Sequence, residues 1–185
     1  MRNYDRRILA GMVTLLLAAC STESDVSEKS SGKLHACEIV AGSEVSRIAG
    51  AEVVASNVDV EYSAGKEAFS QCTHTLEGPR PRVTVQLRTF ESSKTMSRQV
   101  DADKERTSDD GSGYGIKFAE AIEAGIDIGG VGDTAYIFEM FGTQYLVAYK
   151  NARAEVRVWT PIGKDGKERA VEIGKAVATE ALRQL

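Results

Sequence analysis

Apolar residues recur along this chain at two periods, and the changes of period mark its elements. Val45, Ile48 and Ala49 fall on one face of a short helix over Ser43–Ala49, with Gly50 placed to stop it. From Val54 to Tyr62 the period drops to two. Val54, Val58, Val60 and Tyr62 lie on one side and Asn57, Asp59 and Glu61 on the other, the pattern of a strand with one wet face. Ser63-Ala64-Gly65-Lys66 predicts a turn, so that Phe69 to Leu76 returns as a second strand. Beyond the break at Gly78-Pro79-Arg80-Pro81, Val83, Val85 and Leu87 alternate with Arg82, Thr84, Gln86 and Arg88 as a third.

Ser92 to about Arg106 is polar apart from a thin stripe of Met96 and Val100, which predicts a surface helix begun by Ser92. Ser108 to Gly115 has the composition of a loop, and Phe118 to Ile122 that of a helical turn or two. Gly129-Gly130-Val131-Gly132-Asp133 then delivers the chain into Thr134–Phe141, the first of three strands with tight links at Gly142-Thr143 and Lys150-Asn151-Ala152-Arg153. The last strand runs from Ala154 to Thr160 and carries Trp159. Ala170, Ile173, Gly174, Val177, Ala178, Ala181 and Leu182 repeat at three and four, a C-terminal helix with Lys167, Glu168, Lys175 and Glu180 toward water. The order helix, three strands, helix, three strands, helix predicts an α+β fold. Its antiparallel sheet is built from two three-stranded blocks covered by helices.

Residues ahead of this domain carry an address. Arg2, Arg6 and Arg7 precede an apolar run from Ile8 to Ala19 that is broken only by Thr14, far short of the roughly 20 residues a spanning helix needs. The run ends in Leu17-Ala18-Ala19-Cys20, which resembles the lipobox of bacterial lipoproteins, so residues 1–19 are expected to be removed and Cys20 to be acylated. More than one acyl chain is required for stable anchoring, and the three of that class suffice. Ser21, where enteric lipoproteins retained in the inner membrane carry Asp, implies transfer to the outer membrane, facing the periplasm. In a source with one membrane the anchor is the cell membrane. Residues 21–33 hold one apolar residue in thirteen and read as a tether. Loss of the leader's three Arg and one Asp takes the formal charge from −4 to −6. A mildly acidic chain with no basic run offers no footprint for nucleic acid.

With Cys20 lipidated, the remaining thiols are Cys37 and Cys72, in a compartment that oxidises such pairs, and a disulfide is expected. A second reading stands beside it. His35-Ala36-Cys37 and Cys72-Thr73-His74 are mirrored, contain both histidines of the chain, and could offer two thiolates and two imidazoles to a zinc ion. Gly130-Val131-Gly132-Asp133-Thr134-Ala135 has the letters of a dinucleotide-binding turn, but Tyr136-Ile137-Phe138 predicts a strand after it where that mechanism needs a helix. Asp101, Asp103, Glu105, Asp109 and Asp110 lack the loop pattern of a calcium site. His74 shares a face with Leu76, and His35 precedes the fold, so neither reads as a working base and no catalytic set is assigned. Tyr114 and Phe118, in and beside the Gly/Ser loop, are the candidate binding residues.

Cys37-Glu38-Ile39-Val40, Glu44-Val45, Ile48-Ala49-Gly50, Cys72-Thr73-His74 and Gly130-Val131-Gly132-Asp133-Thr134-Ala135-Tyr136 together resemble the two-cysteine lipoproteins of unknown function common in actinobacteria. These are in turn similar to PsbP-like domains. The resemblance covers residues 34–185 and implies a PsbP-like fold with Cys37 bonded to Cys72. It carries no catalytic residues, and His74 stands where the family often has an aromatic. The functional expectation is a lipid-anchored, non-catalytic binding or accessory module with a protein partner in the envelope, and without cofactor or metal. The alternative is a periplasmic immunity or inhibitor protein directed at an enzyme toxin or lytic enzyme.

Overall fold

The computed structural model of the protein describes residues 34–78, 82–98, 101 and 125–185. Within them run strands β1 (Val53–Ala64), β2 (Glu67–Leu76), β3 (Arg82–Thr89), β4 (Ile126–Asp127), β5 (Thr134–Met140), β6 (Thr143–Lys150) and β7 (Ala154–Pro161). They form one antiparallel sheet in the order β1-β2-β3-β7-β6-β5-β4, so β1 and β4 are its edges. The chain is therefore α+β. The β4 strand leaves no periodic trace in the sequence because it is only two residues long, paired as Ile126 with Ile137 and Asp127 with Tyr136.

Helices α1 (Ala36–Ile39), α2 (Gly42–Ala49) and α3 (Gly166–Gln184) all pack on one face of this sheet, so among the described residues the helical cover is partial. The α3 helix buries Ile173, Val177 and Leu182 against Leu146, Ala148, Val156 and Val158, and each such side chain contributes roughly 1.5–3 kcal/mol. The α2 helix ends at Gly50 in the left-handed conformation, and the Arg169 guanidinium of α3 donates to the Ile48 and Ala49 carbonyls at 3.0 and 3.3 Å. A helical segment over 93–98 begins where expected, with Ser92 Oγ accepting from the Thr95 amide at 3.2 Å. The rest of the helix expected there, and the loop and turn expected over 108–122, lie outside the described residues. No helix among the described residues is long and apolar enough to cross a membrane.

One expectation is corrected in β1. Register shifts between Val53 and Ala55 and between Val58 and Val60 break the alternation that the sequence suggests. Opposite residues of an antiparallel pair point to the same face. Val58 opposes Cys72 and so faces the helices, whereas Val60 and Tyr62 oppose Gln71 and Phe69 and face the other way. Each bulge inserts a residue and turns the following side chains over. The four apolar residues therefore form no buried stripe, and every position from Val54 to Ala64 is exposed.

Candidate functional site

Cys37 on α1 and Cys72 on β2 are joined by a disulfide, their Cα atoms 5.2 Å apart. The thiolates that a zinc ion would need are thereby consumed. His35 and His74 also take separate partners. His35 is part of the fold and not a residue ahead of it: it stands at the start of α1, with Nδ1 2.6 Å from Glu61 Oε1 of β1. His74 is fully buried, and its Nδ1 is hydrogen-bonded with the Ser56 hydroxyl at 2.8 Å. Its Nε2 lies 3.5 Å from the Cys72 sulfur. Burial holds its pKa below the ordinary 6.5, partly offset by a hydrogen bond to the Val40 backbone. A neutral His74 thus ties β1 to β2 beside the disulfide. Gly42 makes room for the Ser56 hydroxyl, since a Cβ on Gly42 would lie 2.9 Å from that oxygen.

Beyond this cluster, apolar exposure is concentrated on β1. Val54, Val58, Val60 and Tyr62 are 58, 51, 49 and 61% exposed, and elsewhere among the described residues only Ile126 and Phe141 are large apolar side chains exposed to this degree. One side of β1 pairs with β2 from Val53 to Ala64, and the other carries no strand among the described residues. Two acidic side chains are fixed on it from opposite faces. Asp59 accepts from Thr73 Oγ1 at 2.5 Å and from Gln71 Nε2 at 3.1 Å, and Glu61 pairs with His35.

A cleft of about 340 Å³ adjoins this edge on the sheet face away from α1, α2 and α3. It follows from a cross-strand row: Tyr62 opposes Phe69, Phe69 opposes Arg88, and Arg88 opposes Glu155. The Arg88 guanidinium lies over the Phe69 ring at 5.4 Å and the Phe90 ring at 5.9 Å, a cation–π arrangement that orients it between them. Farther along the same face Glu155 is fully buried, with its carboxylate 2.5 Å from Arg157 Nε. Chemically, the cleft can hold an apolar or aromatic group, with Arg88, Glu67 and Thr95 among its lining residues.

Of the residues singled out by sequence, Cys37 and Cys72 come together, whereas Cys20, Tyr114 and Phe118 lie outside the described residues. The β1 edge and its cleft went unassigned because Val54 to Tyr62 has the alternation of an ordinary half-buried strand. Nothing in that pattern reveals a bulge. Gly132 lies before a strand and not a helix, in keeping with a structural role for the glycine run. No family model, curated protein or solved structure matches this chain.

Proposed function

We propose that the protein is a lipid-tethered, non-catalytic binding module of the bacterial envelope that holds a protein partner along β1. The observation that carries this reading is the run of exposed apolar side chains at Val54, Val58, Val60 and Tyr62 on an edge strand. Single exposed apolar residues are ordinary, but Val60 and Tyr62 share one face of β1 beside the Phe69–Arg88 cleft, and neighbouring apolar groups on one face are the mark of an interaction surface. In this reading Cys20 carries the lipid, residues 20–33 are the tether, and the folded part faces the periplasm from the outer membrane, or stands on the cell membrane of a source with one membrane. The class proposed is the two-cysteine, PsbP-like lipoprotein type with two three-stranded blocks. The Cys37–Cys72 bond and the antiparallel sheet support it.

A benzophenone photo-crosslinker placed at Tyr62 in cells tests the reading. One major adduct is expected in the membrane fraction, with none from Glu172 on the exposed side of α3. Equal labelling from both positions, or no adduct from Tyr62, would overturn it. Cys20→Ala is expected to move the protein out of the membrane fraction, and unchanged fractionation removes the tether. Catalysis is tested at the Ser56–His74 contact: labelling by a fluorophosphonate probe that disappears in Ser56→Ala would replace the binding module with a hydrolase. The inhibitor alternative draws support from the acidic character of β1, since Ala51 to Gly65 contains Glu52, Asp59 and Glu61 and no Lys or Arg. An adduct that is itself an enzyme silenced in the complex would select it.

A further inference from the structure

We infer that the partner engages β1 by strand addition, supplying an extended segment in which apolar and basic side chains alternate. This rests on the binding proposed above and specifies its chemistry. No strand among the described residues lies along the outer side of β1, and an extended segment added there pairs with backbone N–H and C=O groups in one step; Ser63 already has a partner and is not counted among them. Natural sheets close their edges with Lys, Pro or bulges; β1 contains neither Lys nor Pro, and both of its bulges lie ahead of Val60. Beyond its second bulge, Val60 to Ala64 is regular and pairs in unbroken register with β2. That run places Val60 and Tyr62 on the cleft face and Glu61 on the helix face. An added strand would thus meet apolar groups on one face and a carboxylate on the other.

Charge decides among the occupants. A second copy paired through its own β1 would bring Glu52, Asp59 and Glu61 of both chains into one seam with no Lys or Arg between Ala51 and Gly65 to offset them. Stacking copies from β1 to β4 would pair only the two residues of β4. The segment over 21–33 has Val26 as its single apolar residue and three acidic side chains. A basic extended segment of another protein meets none of these objections, and the acidic edge would draw it in.

The test is fluorescence anisotropy with the full chain in neutral detergent and a labelled, capped peptide of alternating Lys and Val long enough to span Val60–Ala64. Saturable binding is expected. It should weaken by about tenfold or more when alternate amides of the peptide are N-methylated, or when Glu replaces Lys, since each change removes a ladder or a charge match. Asp59→Asn with Glu61→Gln should weaken it in the same direction, and the N-methyl comparison stands even where that variant folds poorly. No binding, or equal binding of the N-methylated peptide, overturns strand addition. A dimer in sedimentation that the peptide cannot dissociate assigns the edge to a second copy and overturns it too. Crosslinking at Tyr62 together with indifference to N-methylation leaves the binding module standing and removes only its mode.

Discussion

Gly132 has a backbone φ of +62°, and a Cβ added there would run into the Tyr149 carbonyl oxygen. That same oxygen accepts the Asp133 amide at 2.8 Å, while the Asp133 carboxylate accepts the Asn151 amide at 2.5 Å, so the close approach is what docks the glycine run on β6. The left-handed conformation alone costs a side chain about 1–2 kcal/mol, and the clash adds to it. Gly132→Ala is expected to lose about 2 kcal/mol or more in urea unfolding, whereas Gly129→Ala, whose Cβ would meet open space, stays within about 0.5 kcal/mol. His74 sets a pH dependence of definite sign. Its folded pKa lies below the ordinary 6.5, so the unfolded chain takes up the proton first. The stability associated with a neutral His74 is therefore complete well above pH 6.5, begins to be lost as the pH nears that value, and falls further toward the folded pKa. Urea midpoints of the native chain should decline between about pH 7.5 and 5.5, and His74→Asn should flatten that decline. An unchanged slope in the variant would place the proton uptake elsewhere.

At the scale of elements, the disulfide closes a separation of 35 residues and ties α1 to β2 across the whole of α2 and β1. On the chain-entropy model a loop of that length contributes about 4 kcal/mol. Cys37→Ala with Cys72→Ala should therefore lower the stability of the folded chain by about 3–4 kcal/mol in urea unfolding, and reductant should do the same to the native sequence. The disulfide was legible because two thiols remained once Cys20 was set aside, and the compartment favours their oxidation. The α3 helix was legible because seven of its small and apolar residues share one face between Ala170 and Leu182, and β3 because Val83, Val85 and Leu87 alternate without a break. Such patterns are local, and one element suffices to show them. The β1 strand is different. Its sequence alternates, but the faces its side chains take depend on a register with β2 that two bulges shift, and its exposure depends on lying at an edge. Neither is a property of the segment alone, so the candidate site, which is made of those two facts, could not be read from it. The Arg88 cleft is hidden for the same reason, because Tyr62, Phe69 and Arg88 meet only through pairing between strands.

For the molecule as a whole, the question is whether the sheet behaves as one body. The disulfide and His74 sit at β1 and β2, and α3 packs over β6 and β7, so the two halves have separate fastenings. Strand pairing, a helix cap and a shared core join them. The β3 and β7 strands pair continuously from Thr84 opposite Trp159 to Thr89 opposite Ala154, and Arg169 of α3 caps the C-terminal carbonyls of α2. The apolar core is also continuous, since Val85 and Leu87 of β3 belong to the same cluster as Val156 and Val158 of β7. Opening the sheet at β3–β7 would expose these buried side chains at roughly 1.5–3 kcal/mol each while leaving each half without enough core to persist. The halves should therefore unfold together. Trp159, the one tryptophan of the chain, lies on β7, in the half without the disulfide and at its junction with β3, and reports that side, while far-UV circular dichroism reports the entire sheet. Coincident urea transitions by both probes are expected in the oxidised chain. In the reduced chain both should shift to lower urea by the same amount, because a staple on β2 can stabilise Trp159 only through the shared ladder and core. A reduced chain in which the dichroism transition moves and the fluorescence transition stays would show two independent halves, and the continuous β3–β7 pairing would then carry no cooperativity.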